Sequence, residues 1–249
     1  MEKLINRLMH RPTPLTRWLH NPPGIEAMKK LPQGGSVLDI GCVGFRQHYI
    51  AQENGRADLR HFGVDHPATP VSNVPEEFIF RQCDVDKESI PFENDSFDMV
   101  IACHVIEHVR DPLRFISECR RVCKPGGVIS IECPSENSAM LPGFPFQREK
   151  FYSLSFYDDP THVGRPWSAQ GLFRLGSLFG LENILVSYDW KLLALLVAPI
   201  ALPLLWLLRQ GRAFQYLAWK ATGWNVRMLA EKPRTKADGD YAYYLPKTY

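Results

Sequence analysis

The chain of 249 residues has the length of one α/β domain with additions. It has an ordinary globular composition, 45% hydrophobic and 22% charged, and its net charge of +2 excludes the strong basic character expected of a nucleic-acid partner. Its six cysteines form no C-x-x-C pair. We therefore expect small, buried thiols in a cytoplasmic protein.

The first 24 residues are basic and interrupted by prolines, without the continuous apolar segment of a secretory signal. We predict an N-terminal arm over 1–24, either a solvated helix or a short amphipathic helix lying against a membrane or the domain. The remaining residues, 25–249, are predicted to form one domain that opens with a helix over 25–31.

Residues 36–45, Ser-Val-Leu-Asp-Ile-Gly-Cys-Val-Gly-Phe, predict a buried parallel strand that ends in a tight turn. Gly41 and Gly44 let the chain turn sharply and allow another molecule to approach its backbone. A helix is expected from residue 46 onward. A strand, glycine turn and helix in this order bind nucleotide-like ligands at strand ends. Asp39 is placed to accept hydrogen bonds from an amine or from the loop's own N–H groups.

Two further strands are predicted over 59–65 and 78–83, and each is closed by an acid. Asp65 follows the glycine turn by about twenty residues, the spacing at which an acid can bind ribose hydroxyls. An ordinary strand-end carboxylate is the alternative for this residue. Asp84 occupies the equivalent place after the third strand.

The fourth strand is predicted over 99–103 and is fully apolar. In a doubly wound sheet, the residues just after such a strand lie at the ligand edge. If a helical turn opens there, His104, Glu107 and His108 share one face. Such side chains can act as a general base, as metal ligands or in purely structural roles.

The second half of the chain continues the alternation of helices and strands, which predicts a parallel sheet. Asp111 and Ser168 are predicted helix N-caps, the first followed by proline. The expected helices cover 112–123 and 169–179, and the expected strands cover 128–133, 181–188 and 225–231.

An aromatic and proline-rich segment, 134–167, follows the fifth strand. Because this position lies beside the ligand edge, the segment is predicted to be a lid over an apolar or ring-shaped acceptor. A loop that packs on its own core is the alternative.

Residues 192–208 carry no charge and lie between Lys191 and Arg209. This length is near the lower limit for crossing a bilayer, about 17 residues. A single span would also leave the predicted strand 225–231 on the wrong side of the membrane. We therefore predict a helical hairpin over 190–223 that dips into one leaflet, or alternatively an apolar helix buried in a homodimer or over the sheet.

Two segments in register resemble class I S-adenosylmethionine (SAM) dependent methyltransferases. Residues 36–45 resemble the V-L-D-I-G-C-G-x-G motif, and residues 90–100 resemble the l-P-F-x-d-x-s-F-D-x-V segment. Val43 and Phe45 stand where the family has its second and third glycines. Since a β-branched residue resists positive φ, the turn is expected to be shifted or locally different.

The resemblance implies a Rossmann-like α/β fold. Its seven-stranded sheet would be mostly parallel with an antiparallel last strand, helices on both faces and the apolar insertion before the last strand. It also implies SAM as cofactor, with Asp65 holding the ribose, His66 lying near the adenine and Asp84 meeting the adenine amino group. The implied cofactor-binding residues are Asp39, Gly41, Gly44, Asp65, His66, Asp84, Val85 and Cys103.

The residues after the fourth strand resemble the E-V-L-E-H-V segment of ubiquinone-pathway and small-RNA O-methyltransferases, in which Glu, Glu and His ligate a divalent ion. Glu107 and His108 match this segment, His104 replaces its first glutamate, and His162 falls where the RNA enzymes carry a further histidine. These four residues are the predicted metal ligands, and the donor set favours a transition metal over Mg²⁺. His104, His108 and His162 are also the candidate catalytic residues.

The resemblance thus implies SAM-dependent O-methylation, and the apolar insertion leads us to expect a membrane-associated small-molecule acceptor, such as a prenylated quinol or a lipid-linked or glycan acceptor. The protein would be cytoplasmic and peripheral on the inner membrane, with no nucleic-acid partner. A nicotinamide oxidoreductase is disfavoured, because the turn lacks G-x-G-x-x-G. The alternative is a catalytically silent, methyltransferase-like scaffold, which Val43 and Phe45 favour.

Overall fold

The computed structural model describes residues 23–146 and 153–234. Within them the strands are β1 (Ser36–Ile40), β2 (Arg60–Asp65), β3 (Ile79–Gln82), β4 (Phe97–Cys103), β5 (Cys123–Pro134), β6 (Glu182–Tyr188) and β7 (Asn225–Glu231). The α-helices are α1 (Pro23–Lys29), α2 (Arg46–Glu53), α3 (Pro112–Val122), α4 (Glu136–Ala139), α5 (Ala169–Leu178), α6 (Leu192–Leu207) and α7 (Gly211–Thr222). Two 3₁₀ turns cover Ile106–His108 and Phe156–Asp158.

The strands form one sheet in the order β3-β2-β1-β4-β5-β7-β6. Neighbours from β3 to β5 are parallel, whereas β7 runs antiparallel to both β5 and β6. This topology confirms the predicted Rossmann-like sheet with an antiparallel last strand. It also brings the carboxyl ends of β1 to β4 to one edge.

Both faces of the sheet are covered, which explains why the central strands are apolar runs rather than alternating ones. Leu38 faces the main core, where Phe115 of α3 is also fully buried. Val37 faces the opposite side and shares its core with Met28 and Ala51 of the first two helices. Each buried side chain of this size contributes about 1.5–3 kcal/mol relative to exposure.

The two predicted N-caps are confirmed. The Asp111 carboxylate accepts a hydrogen bond from the Arg114 N–H at 3.0 Å, and the Ser168 hydroxyl accepts one from the Gly171 N–H at 3.0 Å. These side chains satisfy N–H groups that the first helical turn leaves without a partner.

The boundary between α3 and β5 differs from the prediction. β5 begins at Cys123 rather than at residue 128, and Cys123 pairs with Phe97 across a register shift. Gly126 adopts a φ of +77°, and its N–H donates to the carbonyl of Lys232 at 2.7 Å. The Lys-Pro-Gly-Gly sequence therefore bends the strand without ending it.

Residues 190–223 contain two helices that pack against each other, α6 and α7. Ala194 and Ala198 of α6 share a small buried cluster with Ala221 of α7. Among the helices in 23–146 and 153–234, none combines the length and apolarity needed to cross a bilayer. The predicted arm lies outside the described residues, except that α1 begins at Pro23, two residues before the expected start.

Two buried histidines face each other between α2, which carries His48, and β2, which carries His61. His48 and His61 are 6% and 3% exposed, with ring centroids 4.9 Å apart. Neither ring nitrogen of His61 has a hydrogen-bond partner among the described residues. Burial, with a smaller contribution from His48, lowers the pKa of His61 to about 4.

We expect this pair to make the fold sensitive to acid. Between a folded pKa of about 4 and an unfolded pKa of about 6.5, only the unfolded chain protonates His61, so the free energy of unfolding decreases as the pH falls. From about pH 7 to about pH 5 the native protein should lose about 2 kcal/mol that His61→Leu retains. Urea denaturation at both pH values measures this difference. His66→Leu, at an exposed histidine, is the control, and equal pH dependence in native protein and His61→Leu would contradict the prediction.

Candidate active site

The turn after β1 is built by three residues in the left-handed region. Gly41, Gly44 and Phe45 have φ of +75°, +83° and +49°, whereas Val43 does not have a positive φ. The positive φ values thus fall on Gly44 and Phe45 and avoid the β-branched Val43. A Cβ at Gly41 would lie 2.7 Å from a Val105 methyl carbon, so this position has no room for a side chain.

Phe45, the residue in place of the third glycine, is 3% exposed. Its ring meets Phe78 edge-on with centroids 4.9 Å apart, in a cluster that includes Cys42. The local fold thus accommodates the larger side chain in an apolar cluster of its own.

Asp39 lies at the carboxyl end of β1 and is 3% exposed. Its carboxylate makes no hydrogen bond within the described residues. Burial raises its pKa, and the charge of Asp65 raises it further, while Arg46 opposes both. An unpartnered, buried carboxylate is costly. A ligand with a cationic amino group would remove that cost, so the site fits such a group.

Asp65 connects the end of β2 to the glycine turn. One carboxylate oxygen accepts from the Val43 N–H at 3.0 Å, and the other accepts from the His66 N–H at 2.8 Å. This carboxylate therefore shapes the turn, a role in addition to the ribose contact that the resemblance implies.

Asp84 follows β3 and accepts from the Lys87 ammonium at 2.7 Å, which lowers the Asp84 pKa. The imidazole Nε2 of His66 lies 3.5 Å from the same carboxylate. The structure thus places Asp65, His66 and Asp84 side by side at the edge of the sheet. Val85 comes next, and its carbonyl accepts a hydrogen bond from Arg114 at 3.4 Å.

His104 follows Cys103 at the end of β4 and adopts a φ of +57°, uncommon for a residue with a side chain. Its Nδ1 lies 3.1 Å from Glu107 Oε1, and its Nε2 lies 3.9 Å from Glu132 Oε1. Burial alone would lower the His104 pKa, but the hydrogen bond and charge of Glu107, with the charge of Glu132, raise it. Burial raises the pKa of the Cys103 thiol, so this residue stays protonated. Strained backbone of this kind concentrates at functional sites.

Two tryptophans that sequence reasoning did not assign to the site form a wall beside His104. Trp219 and Trp224 stack with centroids 4.1 Å apart, and the imidazole lies 6.0 and 5.9 Å from them. Their indole N–H groups donate to the carbonyls of Ser153 and Leu154. The described part of the predicted aromatic lid is therefore tied to α7 and to the start of β7.

A buried charge network was also missed. Arg227 donates to Glu132 at 2.5 Å and to Asp189 at 2.6 Å, and Lys220 of α7 pairs with Asp189. Burial would raise the Glu132 pKa, but Arg227 lowers it to about 2. The sequence carried one signal of this network, because Glu132 and Arg227 each lie inside an otherwise apolar run. The antiparallel pairing of β5 and β7 places these two residues opposite each other.

Glu107, His108 and His162 bring ligand atoms within 4.8 Å of one another. Glu107 Oε2 is buried and has no partner among the described residues. His162 Nδ1 lies 2.6 Å from the Phe156 carbonyl, and His108 Nδ1 lies 3.2 Å from the Thr161 carbonyl. Such contacts orient imidazoles so that Nε2 can ligate. These three residues therefore fit a metal ion, while His104 stands beside them and shares Glu107.

Comparison with known proteins supports the resemblance to SAM-dependent methyltransferases. Residues 38–131 match the family model described as a methyltransferase domain. The ubiquinone biosynthesis O-methyltransferase of Dinoroseobacter shibae is 30% identical over 158 residues, which cover 61% of this chain and 62% of the relative. The chain spans less than two thirds of the length of this and other curated relatives it matches.

Solved structures share the fold at low sequence identity. A SAM-dependent methyltransferase from Archaeoglobus fulgidus has a TM-score of 0.57 at 20% identity, covering 92% of this chain and 99% of that one. The phosphoethanolamine N-methyltransferase 2 of Haemonchus contortus, in complex with SAM, has a TM-score of 0.54 at 20% identity, covering 84% of this chain and 52% of that one.

Proposed function

Because the chain belongs to the class I SAM-dependent methyltransferases, we propose that it transfers the methyl group of SAM to a hydroxyl of a small-molecule acceptor. One observation carries the proposal. The unpartnered carboxylate of Asp39 lies at the carboxyl end of β1, and His104 directly follows β4, the strand that pairs with β1. A cation-binding group and a candidate base thus lie at the same edge.

The first half of the site would bind the cofactor, which supplies a methyl group on a sulfonium when bound. Asp39 would accept from the amino group of SAM, and Gly44 would let the ligand approach the backbone, since no atom of the described residues other than its chain neighbours lies within 4 Å of the place a Cβ would occupy. Asp65 would hold the ribose while fixing the turn through Val43. His66 and Asp84 would lie along the adenine.

The second half would bind and activate the acceptor. Glu107 orients the His104 ring through Nδ1, which leaves Nε2 to receive the hydroxyl proton. Trp219 is half-buried and stacks on the buried Trp224, so it offers a flat apolar wall beside the imidazole of His104. A ring-bearing alcohol or phenol suits this wall, because aromatic faces stack in an offset manner.

A metal site is the second arrangement that the same residues support. Glu107, His108 and His162 would hold the ion, and two imidazoles with one carboxylate suit a transition metal. Such an ion would lower the pKa of a bound acceptor hydroxyl. His104 would then lie beside the ion without ligating it.

The relative in ubiquinone biosynthesis favours a quinol-like acceptor, and a lipid-linked or glycan acceptor belongs to the same proposal. Each suits a cytoplasmic protein that works at the inner membrane. A silent scaffold is the competing proposal, and the local packing of Phe45 removes part of its support.

Calorimetric titration with SAM and S-adenosylhomocysteine tests the cofactor. We expect micromolar binding that weakens by about tenfold or more in Asp65→Ala, since the carboxylate proposed to hold the ribose is lost together with its charge-assisted hydrogen bond to the Val43 N–H of the turn. Asp58→Ala is the matched control, because that carboxylate accepts from the Gly34 N–H instead. Folded native protein that binds neither ligand would overturn the proposal in favour of the scaffold.

A further inference from the structure

Helix α6 presents an apolar surface that nothing in the described part of the chain covers. Leu196, Ile200 and Leu207 are 66%, 73% and 68% exposed. Residues 195–197 are all exposed, and three consecutive residues sweep about 200° of a helix. Only the side facing α7 is buried. The exposed arc is therefore wider than one flat protein surface could cover, whereas acyl chains can surround it.

The ends of α6 have a different chemistry from its middle. Lys191 and Arg209 bracket the uncharged segment, and Trp190 and Trp206 are 51% and 52% exposed near the two ends. Cations and tryptophans at both ends suit the headgroup region, where cations meet anionic lipids and indoles anchor.

The helix geometry decides between lying along a bilayer and crossing it. The 16 residues of α6 span about 24 Å, less than the hydrocarbon thickness of about 30 Å. Pro199 and Pro203 are exposed within the helix and lack N–H groups, so carbonyls one turn earlier lose their helical partners. Water and headgroups can satisfy such carbonyls, but the hydrocarbon centre cannot.

We propose that α6 lies in one leaflet of an anionic lipid bilayer, parallel to its surface, with Lys191 and Arg209 both at headgroup level. Basic ends match anionic headgroups, and the apolar arc enters the acyl region. A second copy of this chain is the rival occupant that the experiment must separate.

The position of α6 in a leaflet also narrows the chemical class of the methyl acceptor, an inference that rests on the proposed function. Helix α7 lies between α6 and the site, with Ala221 packed on α6 and Trp219 beside His104. If α6 lies in a leaflet, only α7 separates that leaflet from Trp219 and His104. The acceptor class is an amphiphile whose reactive ring lies at headgroup depth and whose tail stays in the leaflet.

Sedimentation of the full chain with vesicles tests the proposal. Phosphatidylcholine vesicles with and without phosphatidylglycerol are compared for the native protein and for Leu196→Glu/Ile200→Glu. We expect binding to the anionic vesicles, reduced about tenfold or more in the variant, because carboxylates resist the acyl region. The matched control is Leu113→Glu/Leu185→Glu, which charges two leucines that are 41% and 55% exposed elsewhere.

The outcomes are distinct. Folded native protein that binds neither vesicle type overturns the proposal. So does a control variant that loses as much vesicle binding as Leu196→Glu/Ile200→Glu. A dimer that Leu196→Glu/Ile200→Glu dissociates, without vesicle binding, assigns the surface to a second copy. Titration of the native protein and the same variants with SAM separates the membrane proposal from the proposed function. Native protein that binds vesicles but not SAM would support the membrane surface and overturn the proposed function.

Discussion

Replacing His104 by glutamine should lower kcat for methyl transfer by about a hundred- to ten-thousandfold, the range for loss of a general base. Glutamine keeps a polar side chain near Glu107 but cannot take a proton from the acceptor. SAM affinity should change little, because the side chains proposed to bind its amino group, ribose and adenine lie at the ends of β1 to β3.

The rate can be measured with methyl-labelled SAM and a quinol-containing membrane lipid extract. His48→Gln is the matched control, since that histidine is buried beside His61, away from the strand ends. Retention of the native rate by His104→Gln would refute its role as base. Loss of activity on chelation, reproduced by His162→Gln, would instead favour the metal arrangement.

Replacing Arg227 by methionine should reduce the free energy of unfolding by about 3–5 kcal/mol, the cost of removing one partner from a buried ion pair. Glu132 would lose the group that holds its pKa near 2. Asp189 would keep only Lys220. The carboxylate of Glu132 would then keep only the weaker charge interactions with His104, at 3.9 Å, and Lys220.

Urea denaturation at neutral pH measures this loss. Lys29→Met is the control, because its pair with Glu26 is exposed on one helix and should be worth less than about 1 kcal/mol. The double variant Glu132→Gln/Arg227→Met should recover part of the loss, since no unpaired charge remains. An Arg227→Met protein as stable as Lys29→Met would show that the network contributes nothing.

Elements with strong local signals were predicted well. The strands appear within a few residues of their expected bounds, and the Asp111 and Ser168 caps are confirmed, because apolar runs and capping side chains act over one or two turns of chain. The start of β5 was misjudged, because a glycine pair that usually ends an element here keeps its hydrogen bonds through Gly126.

Sequence alone determined the class of fold, the glycine turn and the acids that end the first three strands, since each depends on residues close together in the chain. Only the tertiary structure decided which distant groups meet. Glu132 faces Arg227 through antiparallel pairing, and Trp219 of α7 lies beside His104 although the two are far apart in the chain. The exposed arc of α6 likewise depends on which side α7 buries, and long-range packing sets that side.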